Sequence, residues 1–190
     1  MLLWREKLPS SWLPKIRENL PAVLIDHAHL ERKAATSALN MEKYVELYDR
    51  VSELNAIAIE ELQHFELVLG LLRERSIPFA APQRSPWIGG MMAAVRKGRR
   101  QQVIDHLVAC ALIEGRSCEK FQILAEGVRD LDAPLADFYA SLVESEGNHY
   151  ATYLIMARHV DEEETSRRLD YFLDLDAELI RQPHPLPMLH

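Results

Sequence analysis

Apolar residues recur at spacings of three and four along most of the 190-residue chain, a pattern typical of amphipathic α-helices. Glycine and proline are sparse and fall between the periodic stretches, and no convincing alternation of period two indicates a strand. The pattern predicts long helices near residues 21–39, 43–75, 101–127, 134–159 and 162–181, followed by a proline-rich tail at 182–190. We therefore expect an all-α protein.

The connection between the second and third predicted helices, residues 76–100, is long and contains three prolines. Ser85 as an N-cap, Pro86 after it and Gly98 further on predict a short helix inside this segment. The other long helices are joined tightly in pairs. Two antiparallel hairpins linked by one crossover form a ferritin-like four-helix bundle, and we expect residues 1–190 to be a single such domain with extra helices.

Six acidic and histidine side chains fall on the inward stripes of the four bundle helices: Glu31, Glu61, His64, Glu114, Glu146 and His149. They include two Glu-x-x-His pairs, and residues three apart share one face of a helix. A single Glu-x-x-His pair is weak evidence. The informative observation is that each pair is preceded, one helix earlier, by another inward glutamate.

This set is the ligand pattern of a carboxylate-bridged di-metal centre in a bundle core. Four carboxylates in one core would repel strongly, and a pair of divalent cations removes that cost. We expect Glu61 and Glu146 to bridge two ions, Glu31 and Glu114 to bind one ion each, and each histidine to add a nitrogen. Such ligands suit iron(II) or manganese(II). The alternative is that these groups are solvated charges on exposed helix faces.

A few other side chains bear on this site. His27, four residues before Glu31, faces the same cavity or is a satisfied core histidine. Tyr153 either forms a hydrogen bond near the centre or belongs to the core. His184 and His190 lie in the tail and are expected to be solvated. No catalytic residue is predicted beyond the metal ligands.

Composition is ordinary for a globular protein, with 48% hydrophobic and 27% charged residues. No apolar run approaches the length of about 20 residues that crosses a bilayer, and the first residues do not resemble a signal peptide. We expect a cytoplasmic protein without membrane contact. Cys110 and Cys118 would be about 12 Å apart along one helix, too far for a disulfide, and neither belongs to a Cys-x-x-Cys iron site.

The net charge is −7, yet residues 75–104 contain six cations and no acidic residue. Four of these cations are predicted to contact nucleic acid phosphates: Arg96, Lys97, Arg99 and Arg100. The alternative explanation for Arg96 and Lys97 is that the dipole of the short helix favours cations at its C-terminus. This explanation fails for Arg99 and Arg100, because they precede a helix and cations are disfavoured at a helix N-terminus.

Four segments make the chain similar to a known family, the bacterial tRNA hydroxylases that act on 2-methylthio-N6-isopentenyladenosine (MiaE). The segments are His27–Ala34, Glu60–Phe65, Ile113–Ser117 and Glu144–Tyr150. The resemblance extends over nearly the whole chain.

The resemblance implies a non-haem di-iron monooxygenase that uses O2 to hydroxylate the isopentenyl group of the hypermodified adenosine beside the tRNA anticodon. Its partners would be tRNA and a separate electron donor, since the chain has neither a Cys-x-x-Cys site nor a nucleotide-binding fingerprint. A monomer or a small homo-oligomer is expected. Apolar surface for the prenyl group is available on or near the crossover, at Phe79, Trp87, Ile88, Met91 and Met92.

The main alternative is a di-metal oxidoreductase without a nucleic-acid substrate, such as a manganese catalase or a rubrerythrin-like peroxidase. Symmetrical Glu and Glu-x-x-His ligands suit a catalase-type site, whereas the cysteine-bound iron of a complete rubrerythrin is missing. An iron-storage protein is disfavoured because the ferritin ferroxidase centre usually carries one such pair. A non-catalytic bundle leaves the inward carboxylates unexplained.

Overall fold

The computed structural model describes residues 4–182 and 186–190, and within these ranges the chain forms seven α-helices, one 3-10 helix and no strand. The prediction of an all-α protein is therefore confirmed. The α-helices are α1 Trp12–Arg17, α2 Leu20–Met41, α3 Val51–Glu74, α4 Pro86–Ala93, α5 Arg99–Gly127, α6 Ala133–Val160 and α7 Glu162–Arg181, and the 3-10 helix is Val45–Arg50.

Two helical hairpins form the bundle, because the most extensive contacts between elements join α2 to α3 and α5 to α6. The crossover between the hairpins carries α4, and α7 packs against α4, α5 and α6. The predicted bundle with one long crossover and extra helices is confirmed. Among the described residues, no helix is both long and apolar enough to span a bilayer.

Side-chain caps fix the beginnings of three helices. Ser85 accepts a hydrogen bond of 3.1 Å from the backbone N–H three residues later, as predicted for α4. Asp132 and Asp161 do the same for α6 and α7, at 2.9 and 3.0 Å. Each cap satisfies an amide that the helix cannot pair and contributes about 1 kcal/mol. The short polar residues between helices thus set where each bundle helix begins.

Two predicted boundaries were wrong, and one helix was missed. The second long helix begins at Val51 rather than near residue 43, because a 3-10 helix precedes it. The crossover helix ends at Ala93, and Gly98, with φ of 121°, marks the beginning of α5 instead. The short α1 was not predicted. Segments of one or two turns carry too few apolar positions for periodicity to reveal them.

The apolar core is divided into two clusters along the bundle axis. On α3, Leu54 and Ile57 belong to the first cluster, whereas Val68 and Leu72 belong to the second. The polar residues Glu61 and His64 lie between the two clusters in sequence, and each of the other three bundle helices likewise carries its polar residues between members of the two clusters. The helical period therefore places one polar layer inside the bundle, with a packed apolar cluster on each side.

Candidate metal centre

The polar layer contains all six side chains that the sequence singled out, and each is buried. Their relative exposures range from 0% for Glu61 to 7% for His64. The alternative of solvated charges on exposed helix faces was wrong. The layer draws on four helices: Glu31 comes from α2, Glu61 and His64 from α3, Glu114 from α5, and Glu146 and His149 from α6.

Within the layer, potential ligand atoms form two overlapping groups, and in each group they lie within 4.8 Å of one another. The first group comprises Glu31, Glu61, His64 and Glu146, and the second comprises Glu61, Glu114, Glu146 and His149. Only Glu61 and Glu146 belong to both. Two adjacent cations that share two carboxylates would require this arrangement.

Several atoms of the layer have no hydrogen-bond partner among the residues that the structure describes. They are both carboxylate oxygens of Glu61, one oxygen of Glu146, and Nδ1 of His64 and of His149. A buried polar atom left unpaired costs about 1–3 kcal/mol, so five of them in one place call for a ligand. Carboxylate oxygens and imidazole nitrogens are suitable donors for a divalent metal ion. The layer could therefore hold metal.

Contacts on the outer side of the layer orient one of its histidines. His149 Nε2 lies 2.9 Å from Oε2 of Glu60, a carboxylate that can only accept, so this nitrogen carries the proton. The lone pair of the ring then resides on Nδ1, which points inward and lies 2.8 Å from Oε1 of Glu61. A metal-binding histidine is commonly held by such an outer carboxylate.

His64 is oriented in the same sense. Its Nε2 lies 3.5 Å from the hydroxyl of Ser145. Its Nδ1 lies 3.7 Å from an oxygen of Glu31 and 3.7 Å from an oxygen of Glu146. Both imidazoles thus present Nδ1 to the carboxylates.

Burial and mutual repulsion perturb the acids of the layer. Burial, together with the neighbouring carboxylates, raises the pKa of Glu61 and of Glu146 well above the usual range. Burial also raises the pKa of Glu114 to about 7. Burial acts the same way on Glu31, but His27 and the surrounding hydrogen bonds outweigh it and lower that pKa. The layer cannot keep four negative charges unless positive charge is added.

His27 belongs to neither group of potential ligands, but it contacts one of their members. Its Nε2 is hydrogen-bonded to Oε1 of Glu31. The ring packs against Phe121 and Tyr139, at centroid distances of 5.0 and 5.6 Å. Tyr153 is fully buried in the first apolar cluster, and its hydroxyl has no hydrogen-bond partner among the described residues. His27 thus supports a carboxylate from outside, and Tyr153 is a core residue.

A cavity of about 410 Å³ adjoins the layer, and four carboxylates form part of its wall: Glu31, Glu61, Glu114 and Glu146. Apolar side chains from α2, α4, α5 and the tail line much of the rest: Leu30, Ile88, Met92, Ile113, Phe121 and Leu189. Cavities of this size and character bind small organic groups. Ile88 and Met92 were expected near such a site. Of the other three apolar residues named there, Trp87 lines a second cavity, Met91 is buried core, and Phe79 stacks on His29.

The tail contradicts one prediction. His190 is buried rather than solvated, and its imidazole lies 2.9 Å from the Ser117 hydroxyl and 2.9 Å from Nζ of Lys120. The ring also stacks on Trp87 at 5.2 Å and lines both cavities. Burial lowers the pKa of Lys120 to about 7. A proline-rich tail gives no sequence signal for this position, and His184 lies outside the described residues.

The predicted nucleic-acid cluster on the crossover is largely engaged in ion pairs. Arg96 contacts the buried Asp105 at 2.8 Å and Glu164 at 2.8 Å, and Arg168 reaches the same aspartate at 2.7 Å. Although Asp105 is buried, the hydrogen bonds from Arg96 lower its pKa. Arg96 thus joins the crossover to α5 and α7.

Two further arginines of the cluster also have acidic neighbours. Arg99 lies 3.4 Å from Glu46, and Arg100 lies 3.3 Å from Asp161. Lys97 is exposed and forms no ion pair within the described part of the chain. A role of these cations in binding RNA remains a prediction. The two cysteines are free, as expected.

A bundle of this topology, with two Glu-x-x-His pairs and two further glutamates buried at its centre, defines a ferritin-like protein of the di-iron type. The family whose sequence model is described as tRNA-(MS[2]IO[6]A)-hydroxylase (MiaE) matches residues 2–190. The chain belongs to the MiaE family, and the resemblance seen in its sequence is confirmed.

Two relatives are both described as tRNA 2-(methylsulfanyl)-N(6)-isopentenyladenosine(37) hydroxylase. The one from Pseudomonas putida is 35% identical over 177 residues, covering 92% of this chain and 85% of the relative. The one from Salmonella typhimurium is 31% identical over 225 residues, covering 92% and 82%. Membership of this family makes the chain a tRNA hydroxylase, an oxidoreductase.

A solved structure, described as protein 43 with aldehyde deformylating oxygenase activity from Synechococcus, superposes with a TM-score of 0.90. It is 31% identical in sequence, and the alignment covers 100% of this chain and 96% of that one. The ferritin-like fold predicted from the sequence is thereby confirmed.

Proposed function

We propose that this protein hydroxylates the isopentenyl group of 2-methylthio-N6-isopentenyladenosine in tRNA, using O2 and a pair of iron ions. The observation that carries this proposal is the buried polar layer, in which two groups of potential ligands share Glu61 and Glu146 beside an apolar cavity. The relatives described as hydroxylases of this nucleoside support the same substrate.

Each of the six side chains has a role in this proposal. Glu61 and Glu146 would contribute to both ions, because each belongs to both groups of neighbouring atoms. Glu31 and His64 would complete one site, and Glu114 and His149 would complete the other. Four carboxylates balance the charge of two divalent ions, either iron or, as the alternative, manganese. When bound, the metal pair supplies the oxygen activation that attack on a carbon–hydrogen bond requires.

The chain itself positions the reactants. The apolar wall of the cavity holds the isopentenyl group against the carboxylate layer and excludes water. His27 and Glu60, which hydrogen-bond Glu31 and His149 from outside, keep those two side chains in place. The imidazole of His190 lines both this cavity and the second one.

Two partners complete the reaction. One is tRNA. The other is an external electron donor, since the sequence carries no cysteine-bound iron site or nucleotide-binding fingerprint of its own. A cytoplasmic location and a monomeric or small homo-oligomeric state belong to the same proposal.

The test is to supply iron-loaded protein with reductant, O2 and prenylated tRNA, and to analyse the nucleosides by mass spectrometry. The expected product is the nucleoside with one added oxygen atom, and Glu146→Ala should form none. If the loaded protein dismutates hydrogen peroxide rapidly and leaves the nucleoside unchanged, the peroxidase or catalase alternative replaces this proposal.

A second candidate activity is the oxidative deformylation of an aldehyde. It is favoured by the Synechococcus structure, whose 31% identity equals that of the Salmonella hydroxylase. The same loaded protein should be given a medium-chain aldehyde, and alkane and formate should be measured. Turnover of the aldehyde without turnover of tRNA would favour this second activity.

A further inference from the structure

The cavity beside the carboxylate layer ends at the outer face of α2. Arg32, Lys33, Thr36 and Ser37 line this end, and the first three are exposed. Each residue of a helix is rotated by about 100° from the one before, so Arg32 and Lys33 turn outward directly after the inward Glu31. We call these two cations the mouth pair. A group entering the cavity from solvent passes beside them.

Neither member of the mouth pair forms an ion pair with an acid of its own helix, although the charge of Lys33 opposes the rise that burial causes in the pKa of Asp26. Asp26 and Glu31 are the only acidic residues of α2, and both are buried. Lys33 forms no ion pair within the part of the chain that the structure describes. The guanidinium of Arg32 contacts Nδ1 of His29, at 3.1 Å, rather than a carboxylate.

This environment contrasts with that of the crossover cluster. In that cluster, three of the four cations lie within 4.0 Å of a carboxylate. They are Arg96, Arg99 and Arg100. A cation that already neutralises a protein carboxylate releases less free energy when it binds a phosphate. The mouth pair is therefore better suited to bind an anion than the crossover arginines are.

An aromatic surface lies next to the mouth pair. The ring of Phe79 stacks on His29 at a centroid distance of 4.4 Å, and 44% of Phe79 remains exposed. His29 holds this loop through Nε2, which lies 2.7 Å from the carbonyl oxygen of Ala80. Cations beside an exposed aromatic ring form the combination that binds single-stranded RNA, in which phosphates pair with cations and bases stack on rings.

We propose that Arg32 and Lys33 bind the RNA phosphates that flank the modified nucleoside, and that Phe79 stacks on a neighbouring base. This inference rests on the proposed function. An enzyme that modifies a base must take that base out of its stack. With the prenylated base inserted in the cavity, its backbone remains outside, beside the mouth pair.

The test compares variants of the full-length, iron-loaded protein in binding to prenylated tRNA over a range of salt concentrations. Arg32→Gln/Lys33→Gln should raise the Kd for tRNA. The logarithm of the binding constant should also fall less steeply with the logarithm of salt concentration, by about 1.4, since each contact with single-stranded RNA contributes about 0.7. The KM for tRNA should rise with Kd, while iron content stays unchanged. Phe79→Ala should weaken binding by about fivefold or more without changing the slope.

Two further double variants complete the design. Arg73→Gln/Arg129→Gln removes the same charge from exposed positions that do not line the cavity, and it should leave the slope unchanged. Arg99→Gln/Arg100→Gln tests the crossover. If that variant loses the salt dependence while the mouth variant keeps it, the inference is overturned.

The outcomes separate this inference from the function it rests on. If the wild-type protein hydroxylates tRNA and the mouth variant binds tRNA as tightly as wild type, the inference fails and the function stands. If the wild-type protein never hydroxylates tRNA, yet binds it through the mouth pair, the function fails and the binding surface stands.

Discussion

The imidazole of His149 and the carboxylate of Glu60 are joined by a contact of 2.9 Å that links the buried layer to the protein surface. Glu60 is half exposed, whereas the adjacent Glu61 is fully buried. Consecutive helical positions thus hold two carboxylates with different tasks. One faces the layer, and the other fixes the histidine from outside.

Removal of this outer contact should weaken metal binding without abolishing it. Glu60→Ala should lower iron affinity by about 10–100-fold, because His149 loses the group that fixes its proton on Nε2. Glu60→Gln should retain most of the affinity, since its amide oxygen still accepts that hydrogen bond. Iron titration measures both. Glu66→Ala, an exposed position on the same helix, is the control, and equal affinity in Glu60→Ala and this control would contradict the prediction.

In the proposed metal pair, Glu61 and Glu146 would bridge the ions, and Glu31 and Glu114 would each bind one. Wild-type protein should bind about two iron ions per chain, and Glu61→Ala or Glu146→Ala should lose both, because each belongs to both groups. Glu31→Ala or Glu114→Ala should retain about one. Metal analysis after gel filtration gives the counts. Full metal content in the Glu61 and Glu146 variants would show that neither carboxylate bridges.

The buried Asp105 should contribute stability that depends on pH. Arg96 and Arg168 lower its pKa in the folded protein below the ordinary value. Its contribution is therefore present at pH values above the unfolded pKa and is lost as pH falls through the folded pKa. Asp105→Asn should lower the free energy of unfolding by about 3 kcal/mol at pH 7, and the difference from wild type should shrink in acid. Denaturant titrations at several pH values test this, and a difference that does not change with pH would contradict it.

The tail should influence the reaction through His190. His190→Ala removes the partner of Lys120 and of Ser117, so stability should fall by about 1–3 kcal/mol. It also removes a side chain that lines both cavities, so water should enter and less hydroxylated nucleoside should form for each O2 consumed. Met188→Ala is the matched control, because this buried residue of the same segment lines only the second cavity. If the two variants form the same amount of hydroxylated nucleoside for each O2 consumed, His190 does not shield the site from water.

Periodicity predicted the part of the site that depends on single helices. Glu61 and His64 lie on the same stripe as Leu54 and Val68, so the inward direction of all four could be read from the apolar pattern. The same reasoning located the other members of the layer. Their burial follows from helix geometry, which is local.

Contacts between distant segments could not be predicted in this way. His190 reaches Ser117 across 73 residues, and Arg168 reaches Asp105 across 63. No repeating pattern connects such positions, because they meet only when whole helices pack. The crossover arginines illustrate the same limit. The sequence of the crossover shows its excess of positive charge, but it does not show that acids of α7 and of its N-cap lie beside these arginines.

The separation of the apolar core into two clusters has a consequence for the order of assembly. Each end of the bundle buries its own aliphatic and aromatic side chains, so neither end requires an ion in order to pack. In the function proposed above, the two ends would pack first and the layer between them would take up its ions afterwards. Loading would then depend on the supply of ions rather than on synthesis of the polypeptide.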